Sequence, residues 1–156
     1  MLFSILASSA ILPILALASP LRSRAGAPAI TPIPANCTLV NPLPHASKSC
    51  GNATVTGWKP SPAAMNNTAY SFYLSQPDFY SYADRYEQCL EQCHGLTGCK
   101  GAVFANNVPV PKGYYGSKGG ELDVGCVMFK SYLTPNDFVP AEAGTWINAT
   151  AGNIYC

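Results

Sequence analysis

The chain has 156 residues, which is the length of one domain with at most additional tails. Charged residues make up 11% of it and the formal net charge is +1, so it lacks the basic composition of nucleic-acid-binding domains and polybasic membrane patches. Seven cysteines and fourteen prolines in so short a chain are typical of an exported, disulfide-rich scaffold rather than a helical bundle or a cytosolic protein.

Residues 1–18 have the features of a secretory signal peptide. The apolar run of residues 2–17 carries no charge, and a small-x-small cleavage signal ends at Ala18. The run is short for a membrane anchor and is interrupted by Pro13, so we expect no membrane insertion. The mature protein is therefore expected outside the cell or in the cell wall.

Four Asn-x-Thr sequons follow the leader and agree with an exported glycoprotein. A glycan that is attached to a sequon must lie on the surface, which restricts where a partner can dock. The acceptor residues are Asn36, Asn52, Asn66 and Asn148.

Residues 19–49 are predicted to be a Pro-rich, disordered tail. Eight of the fourteen prolines lie between residues 20 and 62, and residues 19–36 offer little apolar surface to bury. We therefore expect the folded domain to span residues 50–156, and we expect residues 19–36 to be dispensable for folding.

The first predicted elements of the domain are a strand and a helix. Thr68–Leu74 alternates with period two and is rich in aromatic residues, which predicts a strand. Ser81 has the features of an N-cap with Asp84 three residues on, and apolar residues then follow at helical spacing until Gly95 can end the helix.

Three further strands are predicted after the helix. They are expected at Lys100–Ala105, at Val124–Lys130 and around Trp146 or Ile154. One helix among several short strands indicates an α+β fold, a small disulfide-stapled domain with a mostly antiparallel sheet packed on the helix.

The cysteines are expected to form disulfides because the compartment is oxidising. A zinc site at Cys89, Cys93, His94 and Cys99 is the alternative, but exported thiols would oxidise. Cys89 and Cys93 are four residues apart on one helix, so their side chains cannot bridge each other. Seven cysteines still allow about 105 arrangements of three bridges, which spacing alone does not resolve.

The segment from Cys89 to Phe104 resembles the helix-to-strand core of PAN/Apple domains, as in small secreted fungal proteins. Two cysteines with three residues between them lie on a helix, a third opens the next strand, and Cys126 lies on a following strand. The resemblance implies an extracellular binding module and the pairs Cys89–Cys126, Cys93–Cys99 and Cys50–Cys156.

Cys37 has no counterpart in that family pattern. With the implied pairing it is free, and it could then join two chains in a covalent dimer. In the rival arrangement Cys37 pairs with Cys50, and Cys156 is free. The oligomeric state is not determined by either arrangement.

Candidate catalytic residues are few, and we expect no enzyme activity, cofactor or metal. His45 lies in the Pro-rich tail, and His94 lies at the end of the helix, where the helix dipole favours a protonated imidazole. Asp84, Glu87 and Glu91 have helical spacing, and the solvated face of the helix explains them better than paired catalytic carboxylates do.

The connection Asn106–Glu121 is the most unusual stretch and the candidate binding loop. Its tip carries Tyr114 and Tyr115, flanked by Lys112 and Lys118. Aromatic residues on a loop suit recognition of a protein or a glycan, although both tyrosines could instead fold back and cover the sheet. Trp58 and Trp146 are expected in the core.

The function that the PAN/Apple resemblance implies is non-catalytic binding of an extracellular protein or carbohydrate, including action as an effector on another organism. A structural protein of the producing cell's wall is the alternative, and a small secreted hydrolase is a third. The sequence does not identify the ligand.

Overall fold

The computed structural model describes residues 26–44, 57–75 and 80–156. Some sequence predictions fall outside these ranges and concern residues 1–18, His45, Cys50 and Asn52. No helix within the described ranges is long and apolar enough to cross a membrane.

The described chain contains seven strands, numbered in chain order. They are β1 (Thr38–Val40), β2 (Trp58–Pro60), β3 (Thr68–Leu74), β4 (Gly101–Pro109), β5 (Leu122–Phe129), β6 (Phe138–Pro140) and β7 (Ile147–Tyr155). Five of them form one antiparallel sheet in the order β1-β7-β4-β5-β3, and β2 pairs with β6 in a small second sheet. The predicted α+β class with an antiparallel sheet is therefore confirmed.

The predicted strands are present, and β3 has the predicted bounds. β4 runs four residues beyond its predicted end to Pro109, because a register shift after Ala105 lets it pair with β5 again from Val108. The connection between β4 and β5 is thus shorter than predicted and comprises residues 110–121. β1, β2, β6 and the four-residue helix α1 (Pro62–Met65) were not predicted.

The predicted helix is present as α2 (Tyr82–Gly95) and begins at the predicted cap. The Ser81 hydroxyl accepts a hydrogen bond from the backbone N–H of Asp84, and the Asp84 carboxylate accepts one from that of Ser81. This reciprocal pair satisfies two of the N–H groups that a helix start leaves free. Cys89, Leu90 and Cys93 are buried on the face that packs on the sheet.

The sheet separates two apolar clusters. On the helix side, Leu90 packs with Phe104, Met128 and the bridged cysteines. On the opposite face, Phe129 and Trp146 pack with the side chains that the second sheet contributes. Trp146 is buried and Trp58 is partly buried against it, so the core placement predicted for both tryptophans agrees with the structure.

Two of the implied disulfides are present. Cys89–Cys126 joins α2 to β5, and Cys93–Cys99 joins the end of α2 to the start of β4, with Cα–Cα distances of 5.9 and 5.3 Å. Both helix cysteines are oxidised in disulfides with partners outside the helix. They therefore do not offer the thiolates that a zinc site would need.

The implied Cys50–Cys156 pair is wrong, because Cys156 is bridged to Cys37. The antiparallel register places Thr38 opposite Tyr155, so the residues next to them face each other with Cα atoms 4.2 Å apart. Cys37 is therefore neither free nor available for a covalent dimer. The rival arrangement, with Cys156 free, is wrong for the same reason.

The predicted disordered tail is wrong for residues 26–44. Thr38–Val40 is the edge strand of the main sheet, and Ile33 packs against the helix-side cluster. The backbone N–H of Thr31 donates to the carbonyl of Glu91, and Gly95 approaches the carbonyl of Ala29 so closely that a Cβ would lie 2.3 Å away. The folded domain therefore begins before residue 50, because this segment covers one side of α2.

Candidate functional site

The connection between β4 and β5 is closed by its own hydrogen bonds. Val110 and Glu121 mark its two ends, and the N–H of Val110 donates to the carbonyl of Glu121 at 2.8 Å. Inside it, the N–H of Gly113 donates to the Ser117 carbonyl at 2.9 Å. Gly119 has φ +86, and a Cβ there would meet the Lys112 backbone at 2.9 Å. The connection is therefore a defined turn, not an open loop.

Tyr114 folds back onto the domain. Its hydroxyl accepts a hydrogen bond from the backbone N–H of Tyr73 at 3.2 Å, and the two rings meet edge to face with centroids 4.8 Å apart. β3 is an edge strand, so this hydroxyl satisfies a backbone donor that the sheet leaves unpaired. Burial raises the pKa of Tyr73, which stays neutral in this contact.

Tyr115 projects outward instead. Its side chain is 83% exposed, and its backbone has φ +43 in the left-handed region. That conformation costs a non-glycine residue about 1–2 kcal/mol. The sequence left open whether the two tyrosines cover the sheet or face a ligand. Tyr114 covers the sheet edge, and Tyr115 faces solvent.

A cleft of about 530 Å³ lies beside the two tyrosines. Three aromatic residues line it, Tyr73, Tyr114 and Tyr115, together with the acidic residues Glu121 and Asp123. We call this the hairpin cleft.

The two acids of the hairpin cleft differ in their partners. The Ser117 hydroxyl donates to the Glu121 carboxylate at 2.6 Å, and this hydrogen bond is the main reason why the pKa of Glu121 is lowered. The carboxylate of Asp123 makes no hydrogen bond or ion pair with another residue in the described parts of the chain. Glu121 is thus held in place by the turn, while the carboxylate of Asp123 can still accept hydrogen bonds from a ligand.

Lys112 and Lys118 do not belong to this cleft. Both are exposed on the same turn, but neither lines the space beside the tyrosines. The predicted binding loop is therefore divided into an aromatic and acidic cleft and two solvated lysines.

Tyr73, Glu121 and Asp123 were missed as site residues by the sequence prediction. These residues come together because β3 pairs with β5, which places Leu74 opposite Val124. The end of the predicted strand Thr68–Leu74 therefore lies beside the start of β5, but the register of two strands separated by about fifty residues is not readable from their patterns.

Three of the four sequons lie in the described chain, and their asparagines are exposed at Asn36, Asn66 and Asn148. Asn36 and Asn66 precede β1 and β3, at the end of the sheet where β5 finishes. The hairpin cleft lies where β5 begins, roughly 25 Å away for a strand of this length. Asn148 is at the same end as the cleft but on β7, two strands from β5.

The three helix acids lie in two different settings. Asp84 is occupied as the capping residue of α2. Glu87 and Glu91 border a separate groove of about 530 Å³ between α2 and residues 32–39, where Tyr86 also lies. Burial raises the pKa of Tyr86 to about 12, so it is a neutral lining residue at physiological pH.

His94 is in the last turn of α2, as predicted. It borders a small cleft of about 170 Å³ with Lys100, Tyr132 and the terminal Cys156. Among the described residues no group of three or more His, Cys, Asp or Glu side chains is arranged to hold a metal ion.

Comparisons with known proteins add no assignment to this geometry. Neither a family model, nor a curated protein, nor a solved structure matches the chain.

Proposed function

We propose that this protein is a secreted, non-catalytic binding module of the PAN/Apple-like type that recognises an extracellular protein or carbohydrate through its hairpin cleft. The bridges Cys89–Cys126 and Cys93–Cys99 support the family resemblance, because they join the helix to the sheet as that resemblance implies. They also hold the hairpin on a fixed base, since β5 carries one of these cysteines and β4 follows another.

The observation that carries the proposal is the conformation of Tyr115. A large aromatic ring that is 83% exposed contributes little to folding, and its left-handed backbone is itself unfavourable. Strained backbone of this kind clusters at ligand-binding positions, where the surrounding structure maintains it. Tyrosine suits such a contact because its ring offers apolar area and its hydroxyl offers a hydrogen bond.

The positions of the sequons support the same surface. Glycans at Asn36 and Asn66 would cover the far end of the sheet and leave the hairpin cleft accessible, whereas a glycan at Asn148 would border it. Mass spectrometry of the secreted protein before and after enzymatic glycan removal tests both export and the use of each sequon.

A glycan array and a cell-wall pull-down test the binding function. The wild-type protein is compared with Tyr115→Ala and with Tyr132→Ala, a partly exposed tyrosine that follows the far end of β5. Loss of a central aromatic contact costs about 2 kcal/mol or more, which is roughly a thirtyfold loss of affinity. We expect that loss for Tyr115→Ala alone.

Equal binding by all three proteins would contradict the assignment of the hairpin cleft. Retention in the producing cell's own wall, without any soluble ligand and unaffected by Tyr115→Ala, would favour the structural wall protein instead. Turnover of a substrate in a broad hydrolase screen would contradict the non-catalytic assignment.

A further inference from the structure

We infer that the hairpin cleft binds the protonated amine of an amino sugar within a polysaccharide chain of the glucosamine type. This inference rests on the proposed function, because it names the ligand class of the same cleft. Three features carry it, namely the charge of the cleft, the arrangement of its rings and its size.

The charge of the cleft is negative. Glu121 and Asp123 line it, and no Lys, Arg or His is among its described lining residues. The lowered pKa of Glu121 keeps that carboxylate ionised in mildly acidic surroundings, where a sugar amine is protonated. The described structure provides no cation partner for Asp123, so an external cation can pair with it without displacing one. An anionic sugar would be repelled from the same position.

The rings of the cleft suit a cationic sugar as well. Tyr73 and Tyr114 stand at 79° and Tyr114 and Tyr115 at 89°, each pair with centroids 4.8 Å apart. The face of an aromatic ring carries partial negative charge, which attracts both a cation and the weakly positive C–H groups on one side of a pyranose. The exposed ring of Tyr115 offers such a face to a ligand that also reaches the carboxylates.

The size and polar lining of the cleft favour a saccharide over a protein surface. A volume of about 530 Å³ is within the range of small-ligand sites and holds a few sugar rings. Ser75 adds a hydroxyl group to the lining, which can exchange hydrogen bonds with sugar hydroxyls. A basic protein partner would instead need a broad complementary face, which a cleft of this size does not offer.

The test compares three hexasaccharides by isothermal titration calorimetry at about pH 5: glucosamine, N-acetylglucosamine and galacturonic acid. Acetylation removes the amine charge and keeps the ring, while galacturonate reverses the sign. We expect the glucosamine hexamer to bind at least tenfold more tightly than the acetylated one and galacturonate to bind weakest. General attraction of a polycation is small here, because the formal net charge of the chain is only +1.

Two variants separate charge from stacking. Asp123→Asn should weaken glucosamine binding three- to tenfold and leave the acetylated hexamer unchanged, because an amide of the same shape lacks the charge. Tyr115→Ala should weaken both sugars. Tyr132→Ala, at the far end of the sheet, is the matched control and should change neither.

The outcomes also separate this inference from the proposed function. Equal affinity for glucosamine and N-acetylglucosamine, or tighter binding of a lysine-rich peptide, would overturn the amino-sugar assignment and leave a binding cleft at Tyr115. If no hexasaccharide binds but the glycan array or pull-down finds a Tyr115-dependent ligand, the inference fails and the proposed function stands. If nothing binds through Tyr115 in any format, both fail.

Discussion

A Cys37→Ser protein should lose about 4–5 kcal/mol of unfolding free energy. The bridge joins residues separated by 119 positions, and the Cys89–Cys126 bridge, with a separation of 37, shortens that loop to roughly 80 residues. In the chain-entropy model, closing a loop of that length stabilises the fold by about 4.5 kcal/mol. The change also releases β1, which pairs only with β7 in the described structure.

Urea unfolding at equilibrium, followed by the fluorescence of Trp58 and Trp146, measures the loss. A change of this size lowers the melting temperature by roughly 15 °C in a domain of this length. Cys50→Ser is the matched control, because the bridge between Cys37 and Cys156 does not involve Cys50. We expect that variant to unfold at nearly the wild-type urea concentration.

The reverse result would refute the pairing. If Cys50→Ser is strongly destabilised and Cys37→Ser is not, then Cys156 pairs with Cys50 in solution. Peptide mapping without reduction gives an independent answer, since a peptide that links Cys37 to Cys156 is expected and one that links Cys50 to Cys156 is not.

Three further changes test how the site and the edges of the domain are held. Tyr114→Ala should cost about 2–3 kcal/mol, because it removes a partly buried ring and the acceptor of an edge-strand N–H. Tyr115→Ala should cost less than about 1 kcal/mol, because it removes an exposed ring whose ring contact is with Tyr114. Equal thermal shifts for the two variants would contradict the division between the tyrosines. Asn153→Ala should cost about 2–5 kcal/mol of unfolding free energy in urea. The buried amide of Asn153 accepts a hydrogen bond from the N–H of Leu133 and donates one to its carbonyl. A loss below about 1 kcal/mol would contradict that role. A protein that begins at Asn36 should melt several degrees lower, because it lacks the partly buried Ile33 that packs on the helix-side cluster. An unchanged melting temperature would show that the residues before Asn36 do not stabilise the domain.

The helix and the central strands could be predicted because their signals are local. The cap pair of Ser81 and Asp84 lies within one turn, and the alternation of Thr68–Leu74 is complete within seven residues. The strands β1, β2 and β6 have three residues each, which is too short for a period to show. Their positions depend on pairing with distant segments, so no local pattern predicts them.

The hairpin cleft could be predicted only in part. Tyr114 and Tyr115 are conspicuous in sequence, but adjacent residues give no indication of which one folds back. That choice follows from the free edge of β3, which offers Tyr114 a backbone donor. The ring of Tyr115, on its left-handed backbone, meets the ring of Tyr114 edge to face and stays exposed. Asp123 carries no motif, and it joins the cleft only because β5 begins beside the end of β3.

The partner of Cys156 is the clearest case in which spacing and family resemblance were insufficient. Cys37 and Cys50 lie in the same Pro-rich stretch, and either could close the domain's ends with a similar gain in chain entropy, because loop entropy varies only slowly with length. The three residues of β1 decide whether Cys37 or Cys50 pairs with Cys156. The pairing of Thr38–Val40 with β7 places Cys37 directly opposite the last residue, and Ile33 and Thr31 continue the same segment along α2. The tail that was expected to be disordered thus contains the edge strand that determines the third bridge.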